Sequence, residues 1–172
     1  MLANVGLPMV CVTVPTIVLA LPLIALVEAA VLRIFCCASF REAWRGAIWA
    51  NLLSGLLGVP LAWLALVIAQ IAGGATRAWG LDTPMDRLAA VTLQAPWLIP
   101  YEDDLYWMVP AASLVLLVPF YLVSVAAEYL VLRYRWGAGH GHLMVGVMAA
   151  NAASYLLLAG YYGVRLWLAL TR

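Results

Sequence analysis

The chain has 172 residues, of which 67% are hydrophobic and 10% charged, and its formal net charge is +1. Soluble domains contain roughly 45–50% apolar and about 25% charged residues, so this composition indicates a membrane protein. The near-neutral charge and the lack of a basic run argue against a nucleic-acid-binding surface. We therefore expect a lipid bilayer around the chain and no nucleic acid among its partners.

Four apolar segments are long enough to cross about 30 Å of hydrocarbon. They are predicted over residues 7–33, 46–72, 106–133 and 143–170. No basic residue precedes the first apolar run, which is also too long for a signal peptide, so we expect it to remain as an anchor. The sequence thus predicts an all-α integral membrane protein with four transmembrane helices. Two helical hairpins (1–72 and 106–172) would flank an extracytoplasmic loop (73–105).

Prolines recur every seven residues in the first segment, as Pro8, Pro15 and Pro22. They lie roughly on one helix face, and each removes a backbone hydrogen bond and can kink the helix. In a membrane, neighbouring helices cover the carbonyls that such breaks expose. We therefore expect a bent first helix that packs on its proline side.

The 73–105 loop contains the start of a short helix. Thr83 suits the N-cap, Pro84 the first helical position, and Asp86 the first turn. This helix should end near Leu93, and its apolar residues suit a position on the membrane or on the outer end of the bundle.

Three acidic residues, Glu102, Asp103 and Asp104, precede the third segment. Acids at a helix start usually serve as caps and dipole partners, which we expect here. A hard cation such as calcium is the alternative ligand for such a cluster.

The stretch 28–57 recurs one hundred residues later, at 128–157. Eleven of these thirty positions are identical without a gap, and the matches include Glu28, Arg33, Asn51 and Ser54. Matches by chance in an apolar chain would be mostly Leu, Ala and Val. We interpret the pattern as an internal duplication, which makes the hairpins parallel repeats related by a pseudo-twofold axis along the membrane normal.

The repeat places polar residues inside the membrane. Glu28 lies five residues before Arg33, or about 7.5 Å inside the boundary, and Asn51 lies about 9 Å inside, counted from Arg45. Ser54 is one turn deeper, on the face of Asn51. The second repeat gives the same depths to its own set. We therefore predict two polar clusters, one per hairpin, in which the second comprises Glu128, Asn151 and Ser154.

Two states of these glutamates are open, since an ionised carboxylate in the membrane is costly unless it is paired or wetted. A protonated Glu would donate to the Asn carbonyl. A charged Glu would accept from the Asn amide and from Arg33 or Arg133 folding back. The clusters could pin each hairpin, because interhelical hydrogen bonds specify packing. Alternatively, the two carboxyl groups could line a central path for protons or cations.

Arg165 is a further charge within the fourth segment, and Ala65 stands at the aligned position of the first repeat. It lies within snorkelling reach of the outer face, where we expect it to meet Asp103, Asp104 or a lipid phosphate. The alternative is a contact with an anion or a substrate.

Orientation follows from the arginine distribution. The two short loops and their edges carry five arginines and one acid, whereas the 73–105 loop carries two arginines and five acids. The short loops should therefore be cytoplasmic, with both termini and the long loop outside, in a bacterial inner membrane. Cys36 and Cys37 would then be free thiols in a reducing compartment, with acylation as the alternative.

Catalytic signatures such as a nucleophile elbow, a phosphate loop or a zincin motif do not occur, so we predict no enzymatic activity and no cofactor. His140 and His142 have no cysteine or carboxylate close by in sequence and do not predict a metal site. The favoured function is a structural or accessory subunit that packs with partner membrane proteins or with a second copy, because four helices leave little room for a transport site. The alternative is a small transporter or channel that uses the paired glutamates.

Overall fold

A computed structural model of the chain describes residues 9–72, 80–94, 103–137 and 142–171. These ranges contain five helices and no strand: α1 (Met9–Cys36), α2 (Phe40–Ala72), α3 (Pro84–Leu93), α4 (Leu105–Trp136) and α5 (Leu143–Leu170). All except α3 are long and apolar enough to cross a membrane. The predicted all-α class with four membrane-spanning helices is confirmed.

The short loops are shorter than predicted. The loop expected over 34–44 shrinks to 37–39, because α1 continues to Cys36 and α2 begins at Phe40. Ser39 caps α2, with its Oγ accepting from the backbone N of Glu42 at 3.3 Å. At the other short loop, α4 likewise passes Arg133 and ends at Trp136. The arginines misled the prediction because a long side chain can reach the membrane surface from within the last helical turn.

The four long helices form a ring, in which α1 and α4 each pack against both α2 and α5. The core near the short loops consists mostly of small side chains, which let helix backbones approach closely. Its fully buried alanines are Ala25, Ala29, Ala43, Ala47 and Ala50. This close packing brings side chains from all four helices within hydrogen-bonding reach of one another.

Two glycines allow the closest approaches between the hairpins. A Cβ atom on Gly46 of α2 would lie 2.7 Å from the Trp136 ring and 2.9 Å from the Leu132 side chain of α4. A Cβ atom on Gly146 of α5 would lie 2.9 Å from the Cys36 Sγ of α1. Both contacts occur at the end of the bundle that carries the short loops.

Helix α3 has the predicted bounds and cap. Thr83 Oγ1 accepts from the backbone N of Asp86 at 3.1 Å, and Pro84 occupies the first helical turn. Ala90 and Val91 are buried against the first half of α4, whereas Met85 and Leu88 remain exposed. One face of the helix therefore covers the end of the bundle opposite the short loops, and the other presents apolar side chains to its surroundings.

The expectation that α1 packs on its proline side is wrong. Pro15 and Pro22 are exposed, and Pro8 lies outside the described residues. The buried face of α1 is formed by Ile24, Ala25, Glu28, Ala29 and Leu32. Proline lacks a polar N–H group, so its ring can face an apolar solvent as readily as a neighbouring helix.

Candidate functional site

A buried carboxyl group lies in each hairpin. Glu28 on α1 and Glu128 on α4 are only 1% and 3% exposed. Asn51 Nδ2 on α2 donates to Glu28 Oε2, and Asn151 Nδ2 on α5 donates to Glu128 Oε2 at 2.7 Å. The glutamate and asparagine predicted at similar depth in each hairpin are therefore in direct contact. Glu28 lies eight residues from the end of α1 at Cys36, or about 12 Å, deeper than the arginine-based boundary implied.

The serines connect the two hairpins. Ser154 Oγ on α5 donates to Glu28 Oε1 at 2.6 Å, and Ser54 Oγ on α2 donates to Glu128 Oε1 at 3.1 Å. Each serine thus contacts the glutamate of the other hairpin, and the two predicted clusters form a single one. Asn51 and Ser54 are one turn apart on α2 and bind different glutamates, so the same helix contacts both carboxyl groups.

Each asparagine amide is held in one orientation by its own helix. The second Nδ2 hydrogen of Asn51 goes to the Ala47 carbonyl at 2.9 Å, and that of Asn151 goes to the Val147 carbonyl at 3.1 Å. Turning the amide would place its oxygen against that carbonyl oxygen. The asparagines therefore present a donor to the glutamates, and a glutamate proton donated to the Asn carbonyl does not fit this geometry.

Each serine hydroxyl has two acceptors in reach but only one hydrogen to donate. Ser54 Oγ is 3.1 Å from Glu128 Oε1 and 3.2 Å from the backbone carbonyl oxygen of Asn51. Ser154 Oγ is 2.6 Å from Glu28 Oε1 and 3.0 Å from the backbone carbonyl oxygen of Asn151. With an ionised glutamate, the serine donates to the carboxylate. With a protonated glutamate, the carboxyl O–H donates to the serine, which turns its hydrogen to the backbone carbonyl. The same heavy-atom positions therefore satisfy both states.

The arginines that end α1 and α4 do not neutralise the glutamates. Arg33 and Arg133 are exposed, and within the described residues neither forms an ion pair with Glu28 or Glu128. The fold-back of these side chains, one of the two alternatives for the glutamates, does not occur in the structure, because each arginine follows its glutamate by five residues and so faces a different side of the helix.

A narrow cavity of about 60 Å³ leads away from the cluster between all four long helices. Its wall on α4 runs from Glu128 to Ser113, which is roughly 22 Å along the helix axis toward the end opposite the short loops. Polar side chains occur along it, and they are Asn51, Ser54, Ser113, Ser124, Glu128, Tyr155 and Tyr162. On the other side of the cluster, the buried side chains of Leu32, Leu132, Leu143 and Val147 close the bundle.

Two of these polar residues, Ser124 and Tyr155, were not predicted from the sequence. The Ser124 hydroxyl and the Tyr155 hydroxyl are 2.9 Å apart within hydrogen-bonding distance. Tyr155 also packs edge-to-face on Tyr121, with ring centroids 5.5 Å apart. The sequence offered a signal, since at the offset of one hundred residues Tyr155 aligns with Gly55 and Ser124 with Ile24, so polar side chains stand where the aligned residues are apolar.

The remaining predicted residues lie away from the cluster. Arg165 contacts Tyr161, with 3.2 Å from its Nη1 to the hydroxyl and 6.0 Å from guanidinium carbon to ring centroid, and forms no ion pair with Asp103 or Asp104. Asp104 precedes α4 but does not cap its backbone, and its carboxylate accepts from the Trp107 indole at 2.8 Å. His142 precedes α5 without capping it.

Glu102 and His140 lie outside the described residues. In the part of the chain that the structure describes, no group of three His, Cys, Asp or Glu residues is arranged to hold a metal ion. Comparison of the chain with protein-family models, with curated proteins and with solved structures finds no match.

Proposed function

We propose that this chain is a small, non-enzymatic membrane protein that moves protons or a small cation through its central carboxyl pair, Glu28 and Glu128. The observation that carries the proposal is the pair of serine hydroxyls, Ser54 and Ser154. Each lies within hydrogen-bonding distance of one glutamate oxygen and one backbone carbonyl. A glutamate can therefore gain or lose a proton while its carboxyl group and the neighbouring serine hydroxyl both keep a hydrogen-bond partner.

Charge balance supports this proposal. Two ionised carboxylates in one cluster inside a membrane repel each other and lack hydration. No arginine contacts them among the described residues. Bound protons or a cation would supply the missing positive charge. The amides of Asn51 and Asn151 donate to the carboxyl groups in either case, whereas Ser54 and Ser154 donate to an ionised glutamate and accept from a protonated one.

The cavity provides a possible proton path on the side of the cluster that lies away from the short loops. A cavity of about 60 Å³ with several polar side chains in its wall has room for water. Water bridging Ser113, Ser124, Tyr155 and Glu128 would carry protons between the outer end and the carboxyl pair. The apolar layer beyond the cluster would block the opposite side in this conformation, so transfer across the membrane requires a second conformation that opens it.

Glutamine substitutions test the proposal, because an amide reproduces a protonated carboxyl group in shape and hydrogen bonding. The Gln oxygen accepts from Asn and its NH₂ group donates to Ser. We expect the Glu28→Gln/Glu128→Gln protein to fold normally, as judged by helicity and monodispersity, and to lose at least tenfold in proton or cation flux in proteoliposomes. Glu42→Gln, which alters an exposed glutamate outside the cluster, should keep wild-type flux. Equal flux in all three proteins would refute the transport function.

An accessory function is the second proposal, and the exposure of α2 favours it. The outer half of α2 presents Leu56, Leu61, Ile68 and Ile71, each more than half exposed. Either lipid or partner helices would cover this surface. Purification in a gentle detergent before reconstitution separates the two functions. A stoichiometric partner protein with no flux by the isolated chain would support an accessory subunit, whereas flux by the isolated chain would argue against it.

The proposed location is a bacterial inner membrane with the short loops in the cytoplasm. Arg33, Arg41, Arg45, Arg133 and Arg135 lie at or beside those loops. At the opposite end, the described residues include Arg87 in α3 and Arg165 within the last two turns of α5. This asymmetry in arginine is the one that orients membrane proteins during insertion.

A further inference from the structure

An open cavity of about 400 Å³ lies at the end of the bundle that carries the short loops. It forms where the start of α2 meets the end of α4, so both hairpins contribute to it. Its lining consists of Ser39, Arg41, Glu42, Arg45, Arg135 and Trp136. The cavity is separate from the carboxyl pair and from the path described above.

The charge in this cavity is unbalanced. The lining contains three arginines and a single acid, Glu42, and none of these arginines forms an ion pair within the described part of the chain. Ser39 caps the backbone N of Glu42. The cavity therefore has an excess of two positive charges and lies beside the first turn of α2, whose N-terminal N–H groups also favour an anion.

The corresponding corner, where α1 ends and α5 begins, lacks the arginines of this cavity. One hundred residues away, Phe35 takes the place of Arg135, Val145 that of Arg45, and Gly141 that of Arg41. Both corners are packed through a glycine, Gly46 in one and Gly146 in the other. Packing of the bundle therefore does not require the arginines. A bound anion would account for three arginines at one corner.

We propose that this corner binds a phosphate group, with an anionic lipid headgroup as its source. Guanidinium groups match phosphate oxygens with paired hydrogen bonds, and three of them can surround one phosphate. The cavity lies at the ends of membrane-spanning helices, where lipid headgroups are found. Free phosphate presents the same chemistry, so the experiment must separate the two sources.

The test uses the full-length protein in a non-ionic detergent, titrated separately with phosphatidylglycerol, phosphatidylcholine and inorganic phosphate, with binding followed by native mass spectrometry and thermal unfolding. We expect phosphatidylglycerol to bind at least tenfold more tightly than phosphatidylcholine. Arg45→Gln/Arg135→Gln should remove this preference. Arg33→Gln/Arg133→Gln, which removes the same charge from the same end but outside the cavity, should keep it within about twofold.

Inorganic phosphate that raises the unfolding temperature with the same dependence on Arg45 and Arg135 would support the site and identify the free anion as its source. Equal loss in both double variants would refute the site, because general surface charge would then explain the preference. No preference in the wild-type protein would refute it as well. If Arg45→Gln/Arg135→Gln fails to fold, Arg45→Lys/Arg135→Lys keeps the charge and should still weaken binding, since lysine lacks the paired donors.

Discussion

At the scale of single residues, the turns that follow α1 and α4 share one backbone feature. Cys37 has a φ angle of 51°, and Gly137, one hundred residues later, has a φ angle of 71°. Positive φ is routine for glycine but costs other residues about 1–2 kcal/mol. The first turn therefore carries a strain that the second avoids.

Cys37→Gly should raise the free energy of unfolding by about 0.5–1 kcal/mol, because glycine removes the steric penalty at a net cost only in unfolded-chain entropy. Gly137→Ala should lower it by about 1–3 kcal/mol, since φ 71° with ψ −164° lies in a region that is almost confined to glycine. Thermal or denaturant unfolding in detergent measures both. A Cys37→Gly protein less stable than the wild type would contradict the strain.

The sequence identified the residue types of the central cluster but not its connections. Depth along a helix follows from residue counts, so the contacts of Glu28 with Asn51 and of Glu128 with Asn151 were predictable. The partner of each serine depends on which helix lies across the ring, and no count of residues supplies that. Ser54 and Ser154 were therefore expected beside their own glutamates, whereas each contacts the glutamate of the other hairpin.

At the scale of helices, the sequence predicted α3 and α5 well and the ends of α1, α2 and α4 less well. The Thr83–Pro84 start of α3 is a local signal, and it needs no information from the rest of the fold. The inner ends of α1 and α2 were set at arginines, which mark the membrane surface rather than the end of a helix. The proline spacing in α1 predicted which residues share a helix face. It could not predict whether that face contacts another helix or lipid, because this depends on how the helices pack.

Glycine contacts between helices lead to a prediction at this scale. Gly46→Ala and Gly146→Ala should each lower the free energy of unfolding by about 1–3 kcal/mol, because the added Cβ would lie within 3.0 Å of Trp136 or Cys36 and overpack the corner. Gly55→Ala is the matched control, since no atom lies within 4 Å of its Cβ position. It should be neutral or stabilise α2 by up to about 1 kcal/mol. A larger loss in Gly55→Ala than in Gly46→Ala would contradict this packing.

At the scale of the whole molecule, the fold class followed from composition and segment length alone, whereas the orientation rests on arginine counts. Site-directed labelling tests that orientation. The sequence contains three cysteines, Cys11, Cys36 and Cys37. In one variant, Cys11→Ser and Cys36→Ala leave the exposed Cys37 as the single thiol. In the other, all three cysteines are replaced and Asp82→Cys introduces a thiol at an exposed position of the outer loop.

With a membrane-impermeant maleimide on intact bacterial cells, the Asp82→Cys variant should be labelled directly. The variant that retains Cys37 should be labelled only after the cells are permeabilised. The reverse pattern would mean that the short loops face outward, and it would invert the side to which the cavity leads.

The two serine contacts that join the hairpins have a consequence for motion of one hairpin against the other. Each Glu–Asn hydrogen bond lies within one hairpin, so it survives when one hairpin tilts as a unit against the other. Each Glu–Ser hydrogen bond spans the two hairpins and must lengthen or break in that motion. A change in bilayer thickness or tension that tilts the hairpins would therefore act first on these two bonds. If the carboxyl pair carries protons as proposed, such a force would also change how readily Glu28 and Glu128 bind them.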